Sequence, residues 1–121
     1  DEVDKFSYQW LRDEPCGTSV CFVVERRPRY ADSGYAREIV WIDQAEYRVM
    51  RIEYYDLRDR PLKTLTFDDY RRYLDRFWRA HRLRMENQQT GKVTVLTFEP
   101  FEFATGLTAD AFDPSALTRL R

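Results

Sequence analysis

Hydrophobic and polar residues alternate with a period of two along most of this sequence, the signature of half-buried β-strands. Phe6, Tyr8 and Trp10 alternate with Lys5, Ser7 and Gln9. Residues 21–25 form a continuous β-rich run, and 28–34 read as a loop. Further strands are predicted over 38–43, 47–56, 62–67, 79–87 and 92–98. The tail over 108–120 changes character: Asp113 as N-cap with Pro114 at the first helical position predicts a short C-terminal helix. The fold class is therefore mainly β, a meander of about seven antiparallel strands with one short helix.

A trial register tests this reading. A loop at 43–46 sets Ile42 opposite Tyr47, Ile39 opposite Met50 and Glu38 opposite Arg51. A hairpin tip at Arg58-Asp59 sets Ile52 opposite Leu65, Met50 opposite Phe67 and Glu53 opposite Thr64. A tip at 73–75 sets Leu65 opposite Leu83, and a tip at 88–91 brings in Leu96 and Phe98. One face then carries Ile39, Trp41, Met50, Ile52, Leu65, Phe67, Leu83, Met85, Leu96 and Phe98. The other carries Glu38, Arg51, Glu53, Thr64, Thr66, Arg82, Arg84 and Glu86. A one-residue slip would destroy this sorting. A helical stripe through Tyr70, Tyr73, Leu74, Phe77 and Trp78, capped by Asp69, competes with the hairpin over 70–78, but the hairpin keeps the faces sorted.

The 121 residues suffice for one domain. Twenty Lys and Arg against 21 Asp and Glu argue against a nucleic-acid binder working through bulk positive charge. No apolar run approaches the ~20 residues needed to span a bilayer as a helix. Arginine dominates the basic residues and recurs beside aromatics, as in Arg71-Arg72-Tyr73 and Trp78-Arg79. Solvated sheet faces with cross-strand pairs explain this better than RNA binding, because acids are interspersed throughout. The single histidine, His81, reads as structural. No nucleophile elbow, glycine-rich phosphate loop or carboxylate cluster is present, so no catalytic residue, metal or cofactor is expected.

Cys16 and Cys21 flank a predicted hairpin tip. Their spacing fits neither a four-ligand zinc site nor a C-x-x-C redox pair. A disulfide clamping the hairpin end fits, and it implies an oxidising compartment. Two reduced thiols are the alternative.

Several strings carry a family resemblance: Tyr8-Gln9-Trp10-Leu11, Val40-Trp41-Ile42-Asp43, Arg51-Ile52-Glu53-Tyr54-Tyr55-Asp56, Lys63-Thr64-Leu65, Met85-Glu86-Asn87-Gln88-Gln89-Thr90-Gly91-Lys92, and the segment from Thr105-Gly106-Leu107 to Phe112. Over nearly its whole length the chain resembles bacterial outer-membrane lipoprotein-sorting proteins of the LolA-like class, matching the C-terminal part of a longer domain. The resemblance implies a periplasmic protein with a curved, half-barrel-like sheet whose concave face holds lipid or lipoprotein acyl chains. It also implies a possible membrane exporter as partner. The ten apolar-face residues are then the expected ligand face, and the two methionines suit adaptable apolar contact. A protein-interaction or sensing module of the bacterial envelope, sharing the fold without lipid, is the alternative. Residues 1–121 are expected to be a single domain lacking N-terminal lid helices. An unpaired edge strand, carrying either Phe6, Tyr8 and Trp10 or its neighbour's Phe22 and Val24, would favour a homodimer.

Overall fold

A computed structural model of the chain describes residues 6–29 and 34–99. Seven antiparallel strands form one curved, unclosed sheet in strict sequence order. They are β1 (Phe6–Cys16), β2 (Ser19–Pro28), β3 (Arg37–Asp43), β4 (Val49–Tyr55), β5 (Pro61–Tyr73), β6 (Phe77–Asn87) and β7 (Val93–Thr97). The β-meander is thus present, whereas the expected C-terminal helix lies outside the described residues. The segment 70–78 is the tip of a hairpin, not a helix.

Three hairpins preserve the predicted faces. Ile52 pairs with Leu65 and Glu53 with Thr64, as the sequence predicts. Across β5 and β6, Leu65 meets Met85 and Phe67 meets Leu83. That is two residues from the predicted alignment, so every side chain keeps its face. The loop at 88–91 is also as expected, with Leu83 opposite Leu96.

The β3–β4 register differs, with consequences for the ligand face. Asp43 sits opposite Arg48 through an Asp43 N–H to Arg48 carbonyl bond of 2.8 Å, so the loop is 44–47. Tyr47 takes a left-handed conformation there, with φ 56°. Ile42 then pairs with Val49, but Trp41 pairs with Arg51, which leaves Met50 as an extra, bulged residue. The bulge reverses the phase. Val40, not Ile39 or Trp41, shares a face with Ile52.

Two apolar clusters result. The larger contains Val40, Ile52, Tyr54, Leu65, Phe67, Ala80, Leu83 and Met85, with Ile42, Val49, Leu62, Tyr70, Leu96 and Phe98 packed against it. The smaller contains Cys21, Val23, Ile39 and Trp41, with Leu11, Met50 and Tyr55 beside it. Leu11, also an extra residue at a shift between Trp10 and Arg12, joins this second cluster. Trp41 anchors it by donating its indole N–H to Glu14 at 2.8 Å. That bond, with help from Arg12, holds the Glu14 carboxyl below its usual range.

Candidate functional site

The predicted ligand residues divide between these clusters. Ile52, Leu65, Phe67, Leu83 and Met85 are buried together, and Leu96 and Phe98 pack against them. Ile39, Trp41 and Met50 belong to the other cluster, because the bulge at Met50 flips β3 relative to β4. Glu38 moves the opposite way. It lies opposite Tyr54, on the side of the larger cluster, and is fully buried. Its Oε1 accepts from Arg26 Nε (3.1 Å) and NH2 (2.8 Å). Arg26 in turn lies 4.5 Å over the Phe6 ring, which buries the cation's stem as well as pairing its head.

The larger cluster reaches solvent at one end, in a cleft of about 430 Å³. Its floor is apolar and comes from the cluster itself: Val49, Phe67, Tyr70 and Ala80. Its rim is mostly cationic and aromatic, formed by Tyr47, Arg48, Arg76, Phe77, Trp78 and Arg79 with one acid, Glu46. The volume falls in the ordinary range for small-molecule sites, and an apolar floor with a few polar groups is their usual lining.

Asp43 organises this end of the molecule. It accepts from Ser19 Oγ at 2.7 Å, from Ala45 N at 3.1 Å, from Glu46 N at 3.3 Å and from Arg48 Nε at 3.0 Å. These donors, Ser19 first, hold its carboxyl below the normal range. Asp43 therefore ties the β1–β2 turn to the β3–β4 loop and aims Arg48. The Arg48 guanidinium lies 4.6 Å from the Trp78 ring and 5.4 Å from the Tyr70 ring. The Tyr70 hydroxyl donates to the Val49 carbonyl. Burial pushes the Tyr70 phenol upward, so it stays a neutral donor.

The alternation breaks again at Asp69, which is left-handed with φ 52°. Phe67 and Tyr70, three residues apart, consequently both reach the larger cluster. His81 has a structural position, as its sequence context suggests. It is fully buried, its Nδ1 faces the Phe98 carbonyl at 2.6 Å, and its Nε2 meets the Tyr73 hydroxyl. The carbonyl can only accept, so Nδ1 donates to it.

Cys16 and Cys21 are disulfide-bonded. Among the described residues, no three His, Cys, Asp or Glu side chains come together as a metal site would need. Among those residues there is also no helix long and apolar enough to cross a membrane.

Of the cleft floor, Phe67 belongs to the predicted ligand face and Val49, Tyr70 and Ala80 do not. The signal for Tyr70 was present as an aromatic at an i+3 spacing, yet the left-handed Asp69 that makes the spacing useful leaves no mark in the sequence.

A protein-family model described as "Uncharacterized protein" matches residues 1–119. No curated protein sequence matches the chain. Among solved structures, it is similar to a candidate outer membrane lipoprotein-sorting protein domain from Vibrio parahaemolyticus, with 40% identity and a TM-score of 0.77 over 97% of this chain and 50% of that one. A DUF1329 family protein from Desulfovibrio piger is 28% identical, with a TM-score of 0.75 over 97% of this chain and 49% of that one. A LolA superfamily protein from Nitrosomonas europaea shares the fold at 24% identity, with a TM-score of 0.69 over 84% of this chain and 49% of that one. The chain thus spans about half the length of the structures it matches.

Proposed function

Because the chain belongs to the LolA-like family of outer-membrane lipoprotein-sorting proteins, whose fold it has, we propose that it is part of a carrier for lipid or lipoprotein acyl chains. The observation that carries this reading is the cleft of about 430 Å³ whose floor is continuous with the large apolar cluster. An acyl chain entering there would lie on Val49, Phe67, Tyr70 and Ala80. Ile52, Leu65, Leu83 and Met85 back that floor from within, with Leu96 and Phe98 packed beside them. Ile39, Trp41 and Met50 take no part, since they pack in the other cluster. The intact protein would be a larger half-barrel of which these residues form one portion. It would work in the periplasm, consistent with the disulfide, and hand its cargo to or from a membrane exporter or another envelope protein.

One observation favours the second reading, an interaction or sensing module without lipid. The edge strand β1 exposes Tyr8 and Trp10, a side on which a protein or a second copy of this chain could pair.

Native mass spectrometry of the full-length protein, purified from its host, separates the two. The carrier reading expects copurified lipid. It also expects Ala80→Phe, which fills the cleft floor, to lose that lipid while the far-UV circular dichroism stays that of the wild type. Wild-type protein free of lipid would refute the carrier reading. A folded Ala80→Phe protein with undiminished lipid would move the site elsewhere.

A further inference from the structure

The β5–β6 hairpin outgrows its neighbours. β4 pairs with β5 only as far as Thr66, and β7 pairs with β6 only from Arg82 toward its C-terminal end. The pairing of β5 with β6 nevertheless continues through Tyr70–Ala80 and Arg71–Arg79 to Tyr73–Phe77. From Tyr70 to Leu74 this two-stranded arm runs roughly 13 Å, at about 3.3 Å per residue. Its base is held down by the Tyr70 bond to Val49 and by Trp78, whose indole N–H donates to Glu46 at 3.3 Å. At its tip the Tyr73 hydroxyl meets His81 Nε2, and Leu74 and Asp75 make the turn.

That turn is chemically unusual. Leu74 and Asp75 both have positive φ, 54° and 52°, and Arg76 N–H donates to the Tyr73 carbonyl at 3.0 Å. Asn-Gly suits such a turn, whereas a leucine there is strained. Leu74 is also 81% exposed, so its side chain relieves none of that strain by packing. Strain together with exposed apolar surface at a projecting tip points to a contact made elsewhere. Phe77 is exposed too, as is Tyr47 across the cleft mouth.

Arginines outnumber carboxylates around the tip. Arg71 is paired with Asp69 at 2.9 Å. Arg72, Arg76 and Arg79 lie over aromatic rings, at 5.8 Å from Trp78, 4.9 Å from Phe77 and 5.5 Å from Phe77, and none has an ion-pair partner among the described residues. Against these three, the tip carries the single carboxylate of Asp75. Apolar and aromatic side chains flanked by unpaired arginines form the pattern that seats at the headgroup boundary of an anionic bilayer.

We propose that the β5–β6 arm docks on an anionic lipid surface, with Leu74 and Phe77 entering the interface and Arg72, Arg76 and Arg79 meeting lipid phosphates. This brings the cleft mouth, which shares Arg76, Phe77 and Arg79, against the membrane. The proposal uses different residues from the acyl-chain floor and can fail separately from it.

The test is cosedimentation of the full-length protein with phosphatidylcholine vesicles, with and without phosphatidylglycerol. Wild-type protein should bind the anionic vesicles and bind neutral ones far less. Neutralising Arg72→Gln and Arg76→Gln should weaken binding roughly fivefold per charge, given what one arginine contributes near an anionic surface. The double variant L74N/D75G should weaken it about threefold or more, since losing the inserted leucine outweighs the gain from losing the Asp75 carboxylate. Its urea midpoint should nevertheless stay the same or rise, because Asn-Gly fits the turn. Copurified lipid should persist in that variant. No binding of wild-type protein to anionic vesicles, equal binding to neutral ones, or undiminished binding by L74N/D75G would each overturn the proposal. The first of these is also what an acidic protein partner for the arm would give.

Discussion

Replacing Asp43 with alanine tests whether one buried carboxylate organises the cleft end of the molecule. The side chain is fully buried and accepts from four residues: Ser19, Ala45, Glu46 and Arg48. Alanine leaves the Arg48 guanidinium without its carboxylate, although that side chain is 23% exposed and can recover some hydration. The Ala45 and Glu46 amides lie in an exposed loop, so water replaces their acceptor at modest cost. Hydrogen bonds to a charged group contribute about 1.5–3 kcal/mol each, and breaking a buried ion pair by removing one partner costs about 3–5 kcal/mol. Allowing for rehydration, Asp43→Ala should destabilise by about 3 kcal/mol. Asp43→Asn keeps one acceptor oxygen but points an amide at Arg48, and should cost about 2 kcal/mol. Ser19→Ala removes a single bond to that carboxylate and should cost about 1.5 kcal/mol. Urea denaturation followed by tryptophan fluorescence measures all three. The ordering matters more than the values: a loss below 1 kcal/mol for Asp43→Ala would show that the loop holds its shape without the carboxylate.

Removing the disulfide by Cys16→Ser and Cys21→Ser should cost about 2 kcal/mol, since the closed loop is short; an unchanged urea midpoint would contradict this. Asp56 gives a pH signature. The Arg60 amide, then Gln89, the Arg58 amide and the Arg60 guanidinium hold its carboxyl down at about 2. A depressed folded value means that its stabilisation is present above the ordinary carboxylate range and is lost as pH falls through about 2. Acid titration should therefore show a component between about pH 4 and pH 2 that is absent in Asp56→Asn, and identical acid profiles would refute the assignment.

The legibility of this fold depended on where the alternation was regular. The β4–β5 hairpin was readable because Ile52, Glu53, Thr64 and Leu65 fall on opposite faces in only one register, and the Arg58-Asp59 tip was recognisable as a turn. The β3–β4 hairpin was not, because the bulged residue is Met50. An apolar residue at a bulge satisfies the wrong register as well as the right one. Glu38 reinforced the error: a charged residue suggests solvent, yet the structure buries it against Arg26. The Arg-aromatic interleaving of Arg71-Arg72-Tyr73 and Trp78-Arg79 was visible from the start. Its meaning was not, because nothing local says that β5 and β6 run past β4 and β7. That fact depends on the lengths of four strands at once.

The departures from alternation also explain where a ligand could lie. A sheet with one apolar side presents that side everywhere along its strands. This sheet does not. The extra residues Leu11 and Met50 turn toward Trp41, so β3 buries apolar side chains on both faces, Val40 in one cluster and Ile39 and Trp41 in the other. Leu62, the extra residue at the shift between β4 and β5, instead packs onto the larger cluster. Asp69 then tilts Tyr70 onto the same cluster, at the point where β5 leaves its neighbour. The larger cluster is therefore sealed along most of its length, with Ile52, Leu65 and Leu83 each 1% exposed. It gives onto a sizeable cleft where the β3–β4 loop and the β5–β6 arm diverge. The strained tip and its unpaired arginines project from that same place. An apolar floor, a cationic mouth and a projecting apolar tip thus converge on one end of the sheet. The residues that put them there, Met50, Leu62 and Asp69, each interrupt the period-two pattern that built the rest of the fold.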